Sequence, residues 1–146
     1  MESTLAIIKP DAVARGVPAR ILALLEERGF RIRTIRMLYL TEAQAGAFYA
    51  VHRERPFYQS LVRFMTSGPS MPVLLERENA VLALRDAIGA TDPAEAAPGT
   101  VRALYAESKE RNAIHASDSA ENAALEAAFF FAGSDVVVPA ARAVAG

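Results

Sequence analysis

The chain has 146 residues, 52% of them apolar and 23% charged, with a formal net charge of −1, no cysteine and two histidines. Such a length and apolar content suit one domain, residues 1–146, whose core needs no staple. The lack of cysteine excludes disulfide and thiolate chemistry, two histidines exclude a histidine-rich metal site, and a near-neutral charge without a basic run argues against a dedicated nucleic-acid site or a membrane surface. No apolar run approaches a membrane span, and strand-like character from Thr4 leaves no room for a signal peptide, so a cytoplasmic protein is expected.

Thr4 to Ile8 is a continuous apolar run stopped by Pro10, which reads as a strand buried on both faces with Lys9 at its end. A connector follows, and Pro18 opens a helix where its missing N–H costs nothing. Ile21, Leu22 and Leu25 form its apolar face, and Gly29 is the expected left-handed stop. Phe30 to Leu40 reads as a second strand whose alternation slips near Thr34, the mark of a bulge. Thr41 with Gln44 forms a capping box for a helix running to about His52. Arg55 and Pro56 break it, and Ser60 to Met65 reads as a short helix.

Met71 to Leu75 is the third strand, with Pro72 suited to an edge or an entry position. Asn79 is expected to cap a helix that buries Val81, Leu84 and Ile88 and stops at Gly89. Ala90 to Thr100 is a long loop, of the kind that is usually functional, and Thr100 to Ser108 carries a short helix. Ala113 to His115 is the fourth strand. Asp118 with Glu121 resembles a capping box for the last helix, which places Ala120, Ala123, Ala124, Ala127, Ala128 and Phe131 on one stripe before Gly133. The apolar tail from Ser134 to Gly146 is expected to pack on the body or a neighbouring subunit. This order predicts an α+β fold: a ferredoxin-like, antiparallel four-stranded sheet (βαββαβ) with helices on one face and an additional long loop. A three-layer parallel sheet is the alternative.

Polar residues gather at element ends and in loops: Lys9, Tyr49, Arg55, Arg85, Thr91, Arg102, Asn112 and His115. Guanidinium forks and a lysine suit a polyphosphate. A neutral imidazole at a strand end, before a helix N-terminus, sits where anions bind and is a competent nucleophile toward phosphorus. Glu126 lies seven residues past Ser119, two helical turns on, and so returns to accept a proton from that imidazole and fix its tautomer. No P-loop, dinucleotide fingerprint or kinase Gly-rich loop is present. By physics alone the chain holds an anion site with a histidine.

Five ordered stretches go further. Ile8-Lys9-Pro10-Asp11-Ala12, Arg55-Pro56-Phe57-Tyr58, Ser67-Gly68-Pro69, Thr91-Asp92-Pro93 through Pro98-Gly99-Thr100-Val101-Arg102, and Asn112-Ala113-Ile114-His115-Ala116-Ser117-Asp118-Ser119 together resemble the nucleoside diphosphate kinase family over nearly the whole chain. The resemblance implies ping-pong transfer of the terminal phosphate of a nucleoside triphosphate, such as ATP, to a nucleoside diphosphate, maintaining nucleotide pools. It implies His115 as the phosphate carrier, Glu126 orienting its ring, and Tyr49 beside it. Lys9 and Asn112 would hold the sugar-hydroxyl side, and Arg85, Thr91 and Arg102 the phosphates. Phe57 would stack on the base with Leu61 nearby, Ser117 would bond near the Glu126 carboxylate, and Asp118 would support the motif. Mg²⁺ would be held mainly by the phosphates, with no protein metal site, and the chain would form a homo-oligomer built from dimers, a tetramer or a hexamer. Ala116 and Arg77 stand where the family generally has glycine. If residue 116 requires φ > 0, its alanine is strained.

Overall fold

The computed structural model describes residues 1–137. At its centre is a four-stranded sheet in the order β2-β3-β1-β4, built from β1 (Glu2–Ile8), β2 (Arg31–Ile35), β3 (Met71–Arg77) and β4 (Ile114–Ala116). Every neighbouring pair is antiparallel, with Ala6 opposite both Val73 and Ala116. This is the expected split βαβ arrangement, and the parallel alternative is excluded.

The apolar run of β1 is explained by what covers it. Ala6 and Ile8 face one core with Val73 and Leu75, under Ile21 and Leu25 of α2 (Pro18–Glu27) and Leu84 and Ile88 of α5 (Ala80–Ile88). Leu5 and Ile7 face a second core with Leu74, under α3 (Glu42–Phe48), α4 (Tyr58–Met65) and Phe130 of α7 (Ala120–Phe130). Helices therefore cover both faces of the sheet, not one. Two short helices, α1 (Pro10–Ala14) and α6 (Val101–Tyr105), sit at the strand ends beside the site.

Several local signals are obeyed. Pro18 begins α2, Gly29 has φ 90°, and Thr41 and Gln44 exchange both capping-box bonds at 3.1 and 2.9 Å. The register shift in β2 falls between Ile32 and Thr34. Others are corrected. Strand β2 is shorter than expected: past the bulge Thr34 and Ile35 still pair with Leu74 and Val73, but the regular ladder ends at Ile35 and a lone bridge, Leu38 to Ser70, follows. Helix α3 ends at Phe48, and a 3₁₀ turn covers Ala50–His52. Pro72 takes the entry position, second in β3, and not an edge, since β3 is an inner strand. Asn79 precedes α5 in a left-handed conformation and its side chain makes no cap bond; Glu2 Oε1 accepts from the Val81 N–H instead, at 2.8 Å.

The last helix is also rephased. Its N-cap is Ser119, which accepts from the Asn122 N–H at 3.0 Å, and Asp118 accepts from the Asn122 side chain at 2.6 Å, so no Asp118–Glu121 box forms. Replacing Ser119 with alanine is expected to lower stability by about 1 kcal/mol in urea unfolding. The face turned inward is Ala123, Glu126, Ala127 and Phe130, while Ala124 and Ala128 are exposed. The helix stops at Phe130, three residues before Gly133. The tail begins by packing on the body: Val136 lies against the second core, and the Val137 N–H donates to the Arg33 carbonyl at 3.0 Å. Its remainder, 138–146, lies outside the described residues.

Candidate active site

Strand β4 brings His115 to the open end of the sheet, where the ring is half-buried. Its Nε2 lies 2.9 Å from Glu126 Oε1, and the Ser117 hydroxyl donates to the same oxygen at 2.6 Å. Glu126 reaches back because it sits on the inward stripe of α7. Burial alone would raise its carboxyl pKa, but the bonds from His115 and Ser117 and the charge of His115 prevail and hold it below the usual carboxylate value. A carboxylate accepting at Nε2 puts the ring proton there and leaves Nδ1 with its lone pair.

Lys9, Tyr49, His52, Phe57, Leu61, His115 and Glu126 line one cleft of about 200 Å³, together with Phe48 and Val51. Phe48 meets the imidazole edge-on, with centroids 5.8 Å apart, and Tyr49 does so at 6.4 Å. Burial, and then the Glu126 charge, push the Tyr49 phenol up, so it stays a neutral donor. Phe57 is 47% exposed at the rim, with the His52 ring beside it at 5.5 Å between centroids. Arg85, Thr91 and Arg102 line an adjoining hollow of about 420 Å³.

Asn112 joins the two spaces. Its Oδ1 accepts from Lys9 Nζ at 2.8 Å and its amide donates to the Thr91 carbonyl at 3.4 Å. Burial, reinforced by Arg102, lowers the Lys9 pKa from 10.5 to about 8. Burial and the nearby Arg85 lower Arg102 to about 10. Arg102 is itself anchored, donating to the Gly89 carbonyl at 3.1 Å and to that of Ile114 at 2.7 Å.

The backbone that delivers His115 is strained one turn earlier than expected. Ala116 pairs regularly with Ala6, and the positive φ belongs to Ala113, at 76°. The Ile114 N–H donates to the Asn112 carbonyl at 2.9 Å around it. These are the marks of the uncommon, strained γ-turn, and a left-handed non-glycine residue costs about 1–2 kcal/mol. The residue is fully buried and held from both sides: the Lys9 N–H donates to its carbonyl at 2.8 Å, and its own N–H donates to Asp11 Oδ2 at 3.0 Å.

Thus Lys9, Tyr49, Phe57, Leu61, His115 and Glu126 share one cleft, while Arg85, Thr91, Arg102 and Asn112 adjoin it. Arg55 and Asp118 are exposed and line neither space. Sequence reasoning passed over Phe48, His52 and Asp11. The first two sit at a helix end and in a turn, within a stretch that reads simply as a helix running to about His52. Asp11 read as connector, although its place in the first turn after β1 was a signal. Among the described residues no group of three or more His, Asp or Glu side chains converges as a metal cage.

An oriented imidazole facing a cleft edged by buried cations is the equipment of a phosphotransferase. Residues 2–136 match the family model described as nucleoside diphosphate kinase. The chain is 59% identical over 137 residues to a nucleoside diphosphate kinase of Chlorobaculum parvum, covering 94% of this chain and 98% of that one. It is 57% identical over 136 residues to that of Gluconacetobacter diazotrophicus, covering 93% and 97%. Among solved structures, the nucleoside diphosphate kinase of Aquifex aeolicus superposes with a TM-score of 0.91 at 47% identity, covering 93% of this chain and 99% of that one. That of Halobacterium salinarum, solved in complex with CDP, gives 0.90 at 35%, covering 96% and 95%. The chain belongs to the nucleoside diphosphate kinase family. The activity of that family is transfer of the terminal phosphate of a nucleoside triphosphate to a nucleoside diphosphate through a phosphohistidine, and it requires a divalent cation.

Proposed function

We propose that His115 is the residue that carries the phosphate. The observation behind this reading is the 2.9 Å contact between His115 Nε2 and Glu126 Oε1, which leaves Nδ1 free to attack. In the first half-reaction the Nδ1 lone pair bonds to the γ-phosphorus as the bond to the β,γ-bridging oxygen breaks, and the nucleoside diphosphate leaves. The positive charge gained by the ring is balanced by Glu126. In the second, a terminal phosphate oxygen of another nucleoside diphosphate attacks the phosphorus and the lone pair returns to Nδ1. Arg85, Thr91 and Arg102 bind the phosphates, Lys9 and Asn112 the sugar-hydroxyl side, and Tyr49 donates near the reacting group.

Phe57, with Leu61 behind it, stacks on the base. Stacking reads shape more than edge groups, so nucleotides with different bases are substrates. The divalent cation is Mg²⁺, brought in as part of the nucleotide complex, since among the described residues no three His, Asp or Glu side chains converge to hold it. It neutralises phosphate charge. A cytoplasmic homo-oligomer built from dimers, a tetramer or a hexamer, completes the reading. No helix among the described residues is long and apolar enough to cross a membrane. The reading is tested by incubating the protein with γ-labelled ATP and Mg²⁺: the protein should take up acid-labile label that any nucleoside diphosphate then removes. Label that survives acid would contradict it.

Lys9 gives a pH prediction with two opposite signs. Its pKa of about 8 in the fold lies below the ordinary lysine value of 10.5, so between those values the unfolded chain binds more protons. Stability from this group therefore rises with pH across that window. Turnover moves the other way, because the charged ammonium is lost. The profile of kcat/KM, which reports the free enzyme, should bend downward near pH 8, and the Lys9→Met enzyme should lack that limb.

A further inference from the structure

The phosphohistidine reading leaves one buried carboxylate without a task. Asp11 is 2% exposed, in the first turn of α1, and among the described residues only its Oδ2 has a partner. That partner is the N–H of Ala113, the left-handed residue between Asn112 and the strand bearing His115. The turn therefore decides two things together: where the Asn112 side chain meets Lys9, and where β4 begins. A glycine there would hold φ 76° freely, whereas an alanine needs outside support. The Lys9 N–H supplies it on the carbonyl side and Asp11 on the amide side.

We propose that Asp11 is a positioning residue for phosphate transfer: its Oδ2, accepting from the Ala113 N–H, holds the turn that sets Asn112 against Lys9 and aims the His115 strand. The inference rests on the reading of His115 as the phosphate carrier. It differs from a charge effect of Asp11 on Lys9, because it requires only an acceptor oxygen, and from a general packing role, because it acts through one backbone dihedral angle. Relief of that angle should therefore replace the carboxylate.

The test compares the wild type with D11N, D11A, A113G and D11A/A113G. Single-turnover phosphorylation by γ-labelled ATP with Mg²⁺ and the dissociation constant of ADP are measured for each. D11A is expected to slow phosphorylation at least tenfold while the ADP constant stays within about threefold. D11N keeps an acceptor oxygen and should stay at least several-fold faster than D11A. D11A/A113G should recover most of the lost rate, and A113G alone should stay near the wild type. Wild-type rates in D11A, a D11N loss equal to that of D11A, or a double variant no faster than D11A would each overturn the inference while the wild type still takes label. If D11A does not fold by circular dichroism, a folded, active double variant supports the inference and an unfolded one overturns it. A wild type that takes no label at His115 overturns the phosphohistidine reading instead, and this inference with it.

Discussion

His115→Ala is expected to remove both phosphate exchange and acid-labile labelling, with turnover falling on the order of 10⁵-fold or more, the scale on which losing a covalent nucleophile is felt. Among the described residues lining the cleft, no second group stands ready to replace it. The other histidine, His52, lines the same cleft but is turned toward Phe57, with centroids 5.5 Å apart. The fold should survive, since the ring lines the cleft and its hydrogen bond is to Glu126 rather than to the backbone. Glu126→Gln should keep some labelling at a lower rate, because an amide no longer dictates which nitrogen bears the proton; a wrong tautomer costs up to about 10⁴-fold in a comparable pair. Exchange that persists in His115→Ala at more than a thousandth of the wild-type rate would sink the assignment.

Lys9→Ala should be the next most damaging change, and its character should differ from that of Phe57→Ala. The Lys9 ammonium is buried and held by Asn112 Oδ1, so no solvent reorganisation accompanies its interaction with developing charge. Preorganised charge of this kind is typically worth about 2.7–4 kcal/mol, or about 10²–10³ in kcat. Arg102→Ala should lose as much, since it also releases the Gly89 and Ile114 carbonyls. In the proposed reading Phe57 stacks on the base at the rim, a contact worth about 1–3 kcal/mol that should be felt mainly in KM. Steady-state kinetics with ATP and a pyrimidine diphosphate separate the cases. Equal kcat losses in all three variants would contradict these roles.

Legibility followed how local each cause is. Pro18, Gly29 and the Thr41–Gln44 pair act within a few residues and behave as their sequence says. The bulge near Thr34 was visible as a break in alternation. The phase of α7 was not, because a helix so rich in alanine offers nearly equal stripes, and tertiary packing selects the one that carries Glu126 inward. Asn79 failed as a cap because Glu2, distant in sequence, supplies the oxygen. Of the site, the polar residues could be collected from the chain, but their division into a cleft and an adjoining hollow could not. The strain at Ala113 rather than Ala116 depends on contacts from Lys9 and Asp11, about a hundred residues away, and no local pattern announces it.

The central place of β1 sets a schedule for the chain's biosynthesis. Ile8 pairs with Met71 on one side and Ile114 on the other. A ribosome that has just made Ile8 must add 106 more residues (114 − 8) before the second partner exists. At about 5–20 residues per second that is roughly 5–20 s, during which Leu5 to Ile8 lack one neighbouring strand. Lys9 is translated early and His115 late, so the cleft is completed only once β4, and then α7 with Glu126, have emerged. A nascent chain arrested before Ile114 should carry most of the helices yet hold no phosphate.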